Sequence, residues 1–357
     1  MDTTPLYFAL GRPFAPLYSA AMRLRETWYR QGILKSHRLN VPVVSVGNLT
    51  MGGTGKTPMV HYLARLLQAQ GLRPAIVSRG YGGSAKEKVN LVSDGNELLL
   101  DAEKAGDEPR FLAETLPGIP VLTGLVRRLP AQRAVEMGAD VILLDDGFQH
   151  MQIVRAVNLV LFSTDRLAGN SRVFPGGELR EPVTALHRAT DFVLTGVHDG
   201  NKERAGQFAD LLQQKFPQIP VTLTGYQVET PVQLSEDGRI ETVDVDLVTR
   251  GRCFGFCGIA HPQSFHTILE RHGLNLAGFC PLRDHQRYSS AVVEKMLARA
   301  RHAGAEFLVT TEKDLVKLAR YVDALPLPLF GLRMQVTAGQ HFAERILRDV
   351  RSWEQHL

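Results

Sequence analysis

VVSVGNLTMGGTGKTP, residues 43–58, passes from an apolar run through a glycine-rich loop into a helical pattern. The β-branched run over residues 41–48 is typical of a strand that is buried on both faces. Pro58 falls in the first turn of the helix that follows, where a missing N–H costs nothing. Apolar residues then recur at the spacing of one helix face, at Val60, Leu63, Ala64 and Leu67. This order of strand, loop and helix predicts a phosphate-binding loop, or P-loop.

The P-loop contains the residue types that hold the phosphates of a nucleoside triphosphate. Glycines let backbone N–H groups curl around phosphate oxygens, and the N-terminus of the next helix adds a positive dipole. We expect Lys56 to reach the β- and γ-phosphates and the Thr57 hydroxyl to ligate Mg²⁺. Thr50 stands where the motif G-x-x-x-x-G-K-[ST] has its first glycine. The predicted Mg·ATP site consists of Thr50, Met51, Gly52, Gly53, Thr54, Gly55, Lys56 and Thr57.

A second acidic element occupies residues 141–150, VILLDDGFQH. Four apolar residues that end in two aspartates resemble a Walker B strand, whose carboxylate lies across from the P-loop and holds Mg²⁺ or its water. Asp145 and Asp146 are both candidates, and their spacing does not decide which of them faces the metal.

Four further loops place charged residues beside turn-forming residues. They are RGYGG (79–83), GDEP (106–109), FPGGELRE (174–181) and RDHQRY (283–288). Sites in α/β folds collect in such loops, although each loop taken singly is more typical of a solvated surface. Phosphoryl transfer needs a base that orients the acceptor, cations for the phosphate oxygens and metal ligands, and these loops contain those residue types.

The alternation of short apolar strands with helices predicts an α/β fold with a doubly wound, mostly parallel sheet of the P-loop NTPase kind. A polar and apolar alternation around Asp237-Gly238 predicts an antiparallel ribbon, after which a second β/α series begins. We therefore predict an N-terminal segment, a P-loop domain, a β-ribbon linker and a smaller C-terminal α/β domain, with the bounds 1–38, 39–221, 222–250 and 251–357.

Composition narrows the class of protein. The 357 residues are 44% hydrophobic and 22% charged, as in an ordinary globular protein. A net charge of +4 is too small to indicate a nucleic-acid partner. An odd number of cysteines without a secretory signal indicates a reducing compartment and free thiols at Cys253, Cys257 and Cys280. Because no apolar run is long enough to span a bilayer, we expect a cytoplasmic protein or one peripheral to a membrane.

Residues 12–31 form an amphipathic pattern with apolar residues on one face and several arginines among them. Such a helix can lie in a lipid headgroup layer. It can equally pack its apolar stripe on the domain and leave its charges in water, as most amphipathic helices do. The residues alone favour the second interpretation.

Seven motifs in order, GNLTMGGTGKTP, SRGYGG, GDEP, DDGFQH, FPGGELRE, RDHQRYS and TTEKDLVKL, resemble the tetraacyldisaccharide 4′-kinase family. The resemblance runs from about residue 10 to the C-terminus. It implies transfer of the ATP γ-phosphate to the 4′-hydroxyl of a tetraacyldisaccharide 1-phosphate, which yields lipid IVA in lipid A biosynthesis. It also implies a protein peripheral to the cytoplasmic face of the inner membrane, and it therefore favours lipid contact by the N-terminal helix. We expect a monomer.

The resemblance also implies roles for individual residues. Asp107 of GDEP would act with His285 of RDHQRY to activate the sugar hydroxyl when the two domains close. Lys56 and Thr57 would be the lysine and threonine of the family's P-loop. The metal environment would be completed by Glu108, Asp145 and Asp146. The candidates for phosphate or substrate contact are Arg79, Tyr81, Arg127, Gln149 and Arg180.

Two other classes of function stay open from the residues. One is a P-loop kinase that acts on another acceptor, such as a soluble small molecule. The other is a partition-type switch ATPase, because GG-x-GKT loops also occur in dimerising P-loop proteins. The first would not need a membrane-binding helix, and the second would hydrolyse ATP without phosphorylating a lipid.

Overall fold

Two β-sheets with helices packed on their faces form the protein in this computed structural model. The structure describes residues 4–235, 240–259, 262–284, 286–319, 321 and 325–353. Strands and helices alternate along most of the chain, which confirms the predicted α/β class.

The first sheet has eight strands, most of them short and apolar. They are β1 (Val43–Asn48), β2 (Pro74–Ser78), β3 (Asn90–Ser93), β4 (Val121–Thr123), β5 (Val141–Asp145), β6 (Val157–Ser163), β7 (Asp191–Thr195) and β8 (Val221–Leu223). Their order across the sheet is β3-β4-β2-β5-β1-β6-β7-β8, and β3 alone among these strands runs antiparallel to its neighbour. Because β1 and β5 are adjacent and parallel, the P-loop and Asp145 leave the same edge of the sheet.

Seven α-helices occur in the described residues from 4 to 223, which include the first sheet. They are α1 (Thr4–Gly11), α2 (Ala15–Arg30), α3 (Lys56–Ala69), α4 (Ala102–Ala105), α5 (Asp107–Thr115), α6 (Arg128–Glu136) and α7 (Lys202–Lys215). The apolar face predicted for α3 is buried at Val60, Leu63, Ala64 and Leu67. We call this sheet with α1–α7 the first unit.

The second sheet has six strands, β9 (Gly225–Leu234), β10 (Ile240–Thr242), β11 (Arg252–Cys257), β12 (Asn275–Pro281), β13 (Phe307–Thr311) and β14 (Leu329–Thr337). Their order is β10-β9-β14-β13-β11-β12. The remaining helices are α8 (Asp246–Thr249), α9 (Pro262–Arg271), α10 (Ser290–His302), α11 (Glu312–Lys317) and α12 (Gln340–Ser352). The second sheet with α8–α11 is the second unit, and all three cysteines lie buried in it as free thiols.

The predicted ribbon belongs to the second sheet. β9 and β10 are antiparallel, and the predicted turn at Asp237-Gly238 lies outside the described residues. β9 also pairs with β14 along most of its length. The chain therefore crosses between the sheets at Thr224, between the last residue of β8 and the first of β9. The four-segment division of the chain remains a prediction.

The C-terminal helix α12 returns to the first unit. Phe342, Ile346 and Val350 join the hydrophobic cluster beneath β1 and α3. Arg345 Nε lies 2.6 Å from Oδ1 of Asp191, a carboxylate that is almost completely buried in β7. This ion pair fixes α12 on the first sheet.

The N-terminal helix α2 leaves its apolar side chains in solvent. None of its residues is buried, and Leu17, Leu24 and Trp28 are 73%, 50% and 40% exposed. The helix is attached to the first unit by the Tyr18 hydroxyl, which donates to the carbonyl of Arg180, and by Arg25. Among the described helices, none has the length and hydropathy that crossing a bilayer would require.

Candidate active site

The P-loop joins the carboxyl end of β1 to the first residue of α3, Lys56. Gly52 and Gly55 have φ angles of +100° and +77°, a region that favours glycine. The Asn48 side chain, at the end of β1, donates to the carbonyl of Thr50 at 2.8 Å and so braces the start of the loop from inside. The backbone thus curls as a phosphate cradle must.

Thr50 has a structural reason to replace the usual glycine. It forms an isolated antiparallel bridge with Leu179, and its neighbour Met51 donates its N–H to the carbonyl of Glu178 at 2.8 Å. An extended residue suits such a bridge, so no left-handed conformation is needed at this position. The bridge also brings the FPGGELRE loop against the P-loop.

Asp146 lies at the centre of a cluster of cations. Lys56 Nζ is 3.5 Å from Oδ1, and Arg180 Nη1 donates to both carboxylate oxygens at 2.9 and 2.8 Å. Arg127 Nη1 donates to the Asp146 carbonyl at 2.6 Å. Burial opposes ionisation, but Lys56 and Arg180 outweigh it and lower the pKa of Asp146 to about 2. The carboxylate therefore holds a lysine and an arginine beside the P-loop.

Asp145 has the opposite environment. It is buried at the end of β5, and its Oδ1 makes no hydrogen bond within the described residues. Burial, followed by the charges of Glu108 and Asp146, raises its pKa to about 7. An unpaired buried oxygen beside other carboxylates is a place where a divalent cation would be stabilised.

The oxygen donors here fit Mg²⁺ if the nucleotide shares its coordination. Within the described part of the chain, no three Asp, Glu, His or Cys side chains gather closely enough to hold a metal by themselves. Mg²⁺ is commonly bound by one or two carboxylates together with substrate phosphates. Asp145, Glu108 and the buried Thr57 at the start of α3 could supply the protein's share.

The RGYGG and GDEP loops touch each other. Gly106 has a φ of +92°, and a Cβ there would lie 2.5 Å from the carbonyl oxygen of Tyr81. The Tyr81 side chain is 80% exposed at the mouth of the site, and Arg79 is exposed beside it. Asp107, the next residue, is the first of α5, and Glu108 follows it in the first turn of that helix.

Two lysines of α11 extend from the second unit to the GDEP loop. Neither was among the predicted site residues. Lys317 Nζ is 3.5 Å from Oδ2 of Asp107, and Lys313 Nζ is 3.0 Å from Oε1 of Glu108. The motif TTEKDLVKL contains a hint of their shared role, because two lysines four residues apart lie on the same face of a helix. Their partners could not be read from this motif, because Lys313 and Glu108 are 205 residues apart.

His285, the proposed partner of Asp107, lies outside the described residues. The next residue, Gln286, lies close to Gly258, because a Cβ on Gly258 would lie 2.9 Å from Gln286 Cβ and 3.2 Å from Asp314 Oδ1. Asp314 in turn lies 3.3 Å from Lys317 Nζ. The RDHQRY loop is therefore next to the helix that contacts GDEP.

The rest of the DDGFQH loop is fixed between the P-loop and α2. Gln149 Nε2 donates to the Asn48 carbonyl at 2.9 Å, and the Gln149 carbonyl accepts from Arg25. Burial, together with the charges of Arg127 and Arg155, lowers the pKa of His150 to about 3, so this histidine is neutral. The structure thus brings predicted residues of five loops, the P-loop, RGYGG, GDEP, DDGFQH and FPGGELRE, to one edge of the first sheet.

A strand-to-helix P-loop on a mostly parallel sheet, with an acidic strand end beside its lysine, defines a P-loop nucleotide-binding protein. The model of the tetraacyldisaccharide-1-P 4′-kinase family, LpxK, matches residues 7–351. The chain belongs to this family, which confirms the resemblance found in its motifs.

Relatives of known name agree over nearly the whole chain. The chain is 44% identical over 354 residues to a tetraacyldisaccharide 4′-kinase of Desulfotalea psychrophila, with 99% of each chain covered. It is 40% identical to that of Syntrophus aciditrophicus, with 97% of this chain and 94% of the relative covered. A crystal structure of apo-form LpxK from Aquifex aeolicus in complex with ATP superposes with a TM-score of 0.74 at 31% identity, with 95% of this chain and 98% of that chain covered.

Proposed function

We propose that this chain transfers the γ-phosphate of ATP to the 4′-hydroxyl of tetraacyldisaccharide 1-phosphate and so forms lipid IVA, a step of lipid A biosynthesis. Family membership supports the reaction. The observation in this structure that carries the proposal is the Asp146 cluster, where Lys56 lies 3.5 Å from the carboxylate at the P-loop. Phosphoryl transfer depends on positioning and on cations around the phosphate oxygens, which is what this cluster supplies.

In the proposed mechanism the P-loop binds the triphosphate from Thr50 to Thr57, and Lys56 moves its charge from Asp146 onto the β- and γ-phosphates. Arg180 then keeps Asp146 ionised and in place. We assign Asp145, Glu108 and Thr57 as the protein's Mg²⁺ ligands, since Asp146 is already occupied by cations. When bound, Mg²⁺ neutralises charge on the phosphate oxygens.

Asp107 is the proposed general base. A sugar hydroxyl is a poor nucleophile near pH 7, so a carboxylate oxygen within hydrogen-bond reach would accept its proton as the bond to the γ-phosphorus forms. The bond between that phosphorus and the bridging oxygen breaks in the same transfer, and ADP leaves. His285 is proposed to orient this carboxylate. The contact between Lys317 and Asp107 supports the idea that the second unit participates, because it already delivers a charged side chain to the same carboxylate.

The acceptor is proposed to enter over Tyr81 and Gln149, with the exposed Arg79 available to its phosphate. Arg127, the other candidate, is buried and donates to the Asp146 carbonyl. Two exposed apolar side chains, Leu125 and Val126, stand directly before Arg127 and are 74% and 42% exposed. Apolar side chains at the mouth of a charged site suit an acylated substrate better than a soluble one.

The membrane is the proposed second partner of α2, on the cytoplasmic face of the inner membrane, with the protein acting as a monomer. Leu24→Asp should weaken flotation with anionic vesicles, because it places a charge in the exposed apolar stripe. Leu211→Asp is a matched control, since this leucine is 42% exposed on α7. Equal flotation of both variants and the unchanged protein would contradict lipid contact by α2.

The reaction itself is tested with radiolabelled ATP and an extracted tetraacyldisaccharide 1-phosphate. We expect Lys56→Ala to lower the rate of lipid phosphorylation about a hundredfold or more, because the lysine's charge acts on the transferred group. Lys295→Ala, on an exposed position of α10, should leave the rate unchanged. Phosphate released to water but never found on the lipid would instead favour the switch ATPase, and label on a soluble acceptor would favour another kinase.

A further inference from the structure

A close contact of the P-loop comes from the second sheet. A Cβ on Gly55 would lie 2.0 Å from the hydroxyl oxygen of Tyr226 and 3.3 Å from Oγ1 of Thr195. Tyr226 is the second residue of β9, directly after the point where the chain crosses from one sheet to the other. The hydroxyl thus fills the space beside the glycine that precedes Lys56.

A chain of side-chain hydrogen bonds runs from Tyr226 into the loop. The Tyr226 hydroxyl bonds to the Thr195 side chain, and Thr195 Oγ1 donates to the carbonyl oxygen of Thr54 at 2.9 Å. Thr195 is 2% exposed, and burial raises the pKa of Tyr226 to about 12. The phenol is therefore protonated at neutral pH and available to donate.

The hydrogen bond from Thr195 to the Thr54 carbonyl also fixes the orientation of the next amide group, that of Gly55. A trans peptide is planar, so the N–H of Gly55 points opposite to the carbonyl of Thr54. The carbonyl faces Thr195, at the end of β7, and the amide hydrogen is therefore directed to the other side of the loop. Backbone N–H groups of this kind are the phosphate ligands of a P-loop.

The tyrosine is itself held by the second unit. β9 pairs with β14, where Tyr226 stands opposite Val336. The tyrosine ring packs against the hydrophobic cluster beneath β1 and α3, which Val336 also joins. A movement of the second sheet would therefore shift the hydroxyl against Gly55.

We propose that Tyr226 is a positioning residue for ATP, which acts through Thr195 to fix the P-loop and links the placement of the second unit to triphosphate binding. It contacts the loop at Gly55. ATP binding is thereby favoured in the arrangement of the two units in which β9 holds the P-loop, which is also the arrangement in which α11 reaches Asp107 and Glu108. The part of this inference that concerns phosphoryl transfer to the lipid rests on the proposed function. The part that concerns ATP binding does not.

The test compares Tyr226→Phe and Thr195→Val in the full-length protein. We expect each to weaken the Kd for Mg·ATP, measured by titration calorimetry, about three- to tenfold, as for loss of one buried hydrogen bond. The KM for ATP should rise by the same factor while the KM for the lipid stays constant. Because the two residues form one chain, the double variant should bind ATP about as weakly as the weaker single variant.

Two matched controls remove similar hydrogen bonds elsewhere. Tyr321→Phe removes a hydroxyl that donates to the carbonyl of Tyr288 inside the second unit. Thr224→Val removes a hydroxyl that donates to the carbonyl of Leu194 in β7. Both should keep the Kd for ATP unchanged, with thermal unfolding showing that every variant folds.

ATP binding by Tyr226→Phe and Thr195→Val equal to that of the unchanged protein would overturn the inference. So would independent, additive losses in the double variant, or an equal loss in the controls. If the unchanged protein binds ATP but phosphorylates no lipid, the proposed function fails, and the calorimetric comparison still decides the role of Tyr226.

Discussion

Gly55→Ala places a methyl group in the close contact between the P-loop and Tyr226. The new carbon would lie 2.0 Å from the Tyr226 hydroxyl, far inside van der Waals distance, and the residue would keep a φ of +77°. Neither the loop nor the tyrosine can move freely, since Thr195 bonds to both the hydroxyl and the Thr54 carbonyl. The substitution therefore combines backbone strain with overpacking.

The two costs have separate magnitudes. A left-handed conformation costs an alanine about 1–2 kcal/mol relative to glycine. Overpacking of a close-packed site adds about 1–3 kcal/mol. We expect the free energy of unfolding to fall by about 2–5 kcal/mol, and ATP to bind at least about tenfold more weakly because the loop must shift away from Tyr226.

Gly71→Ala separates these costs. Gly71 follows α3 with a φ of +78°, and no atom lies within 4 Å of its ideal Cβ position. It should therefore show the strain alone, with unchanged ATP binding. Urea unfolding and calorimetric titration of both variants provide the comparison. If Gly55→Ala destabilised the protein no more than Gly71→Ala and bound ATP normally, the close contact with Tyr226 would be refuted.

Removal of the hydroxyl should rescue part of the loss. In Gly55→Ala with Tyr226→Phe, the nearest ring atom would be Cζ at 3.3 Å, a tight but tolerable distance. The double variant should therefore be more stable than the sum of the two single effects predicts. Strict additivity would show that the alanine is accommodated elsewhere.

Three other perturbations follow from the ion pairs and the buried histidine. Lys317→Met should lower kcat for lipid phosphorylation and spare the Kd for ATP, because the lysine contacts Asp107 and not the P-loop; an unchanged kcat would contradict this role. Arg345→Met should destabilise the fold by about 3–5 kcal/mol in urea unfolding, since it leaves Asp191 buried without its partner; a loss below 1 kcal/mol would show that the pair is dispensable. Burial lowers the pKa of His61 to about 4 from its usual 6.5, so folding loses stability as pH falls from 6.5 to 4, by up to about 3 kcal/mol from this group. His61→Asn should flatten that part of the stability curve, and an unchanged slope would refute the assignment.

Local order in the sequence explains why the P-loop could be predicted. Residues 43–69 contain the buried strand, the glycines and the helical spacing. Each of these patterns depends only on the conformation of its own segment. The same holds for Asp145 at the end of an apolar run. The two aspartates could be distinguished only in three dimensions, because Asp146 is set apart by Arg180 and Arg127, which approach it from other loops.

Contacts between the two units could not be predicted from the periodicity and motifs of single segments. Lys313 and Lys317 occur in a motif without any local sign of their partners, and Tyr226 sits in an ordinary alternating strand. Short β3 and the helix α1 also escaped prediction, since a few residues carry no clear period. Periodicity describes how a segment faces its own core. Lys313, Lys317 and Tyr226 instead contact residues of the other unit, which periodicity does not report.

In the proposed mechanism, both ends of the reaction depend on the second unit. At the nucleotide, Tyr226 fixes the glycine that precedes Lys56. At the acceptor, α11 contacts Asp107 and Glu108, the proposed base and a proposed metal ligand. A rigid shift of the second sheet would disturb both contacts at once, so phosphoryl transfer to a hydroxyl would slow and ATP would bind more weakly. Such coupling limits futile hydrolysis, because an open arrangement would hold neither the triphosphate nor the base in position.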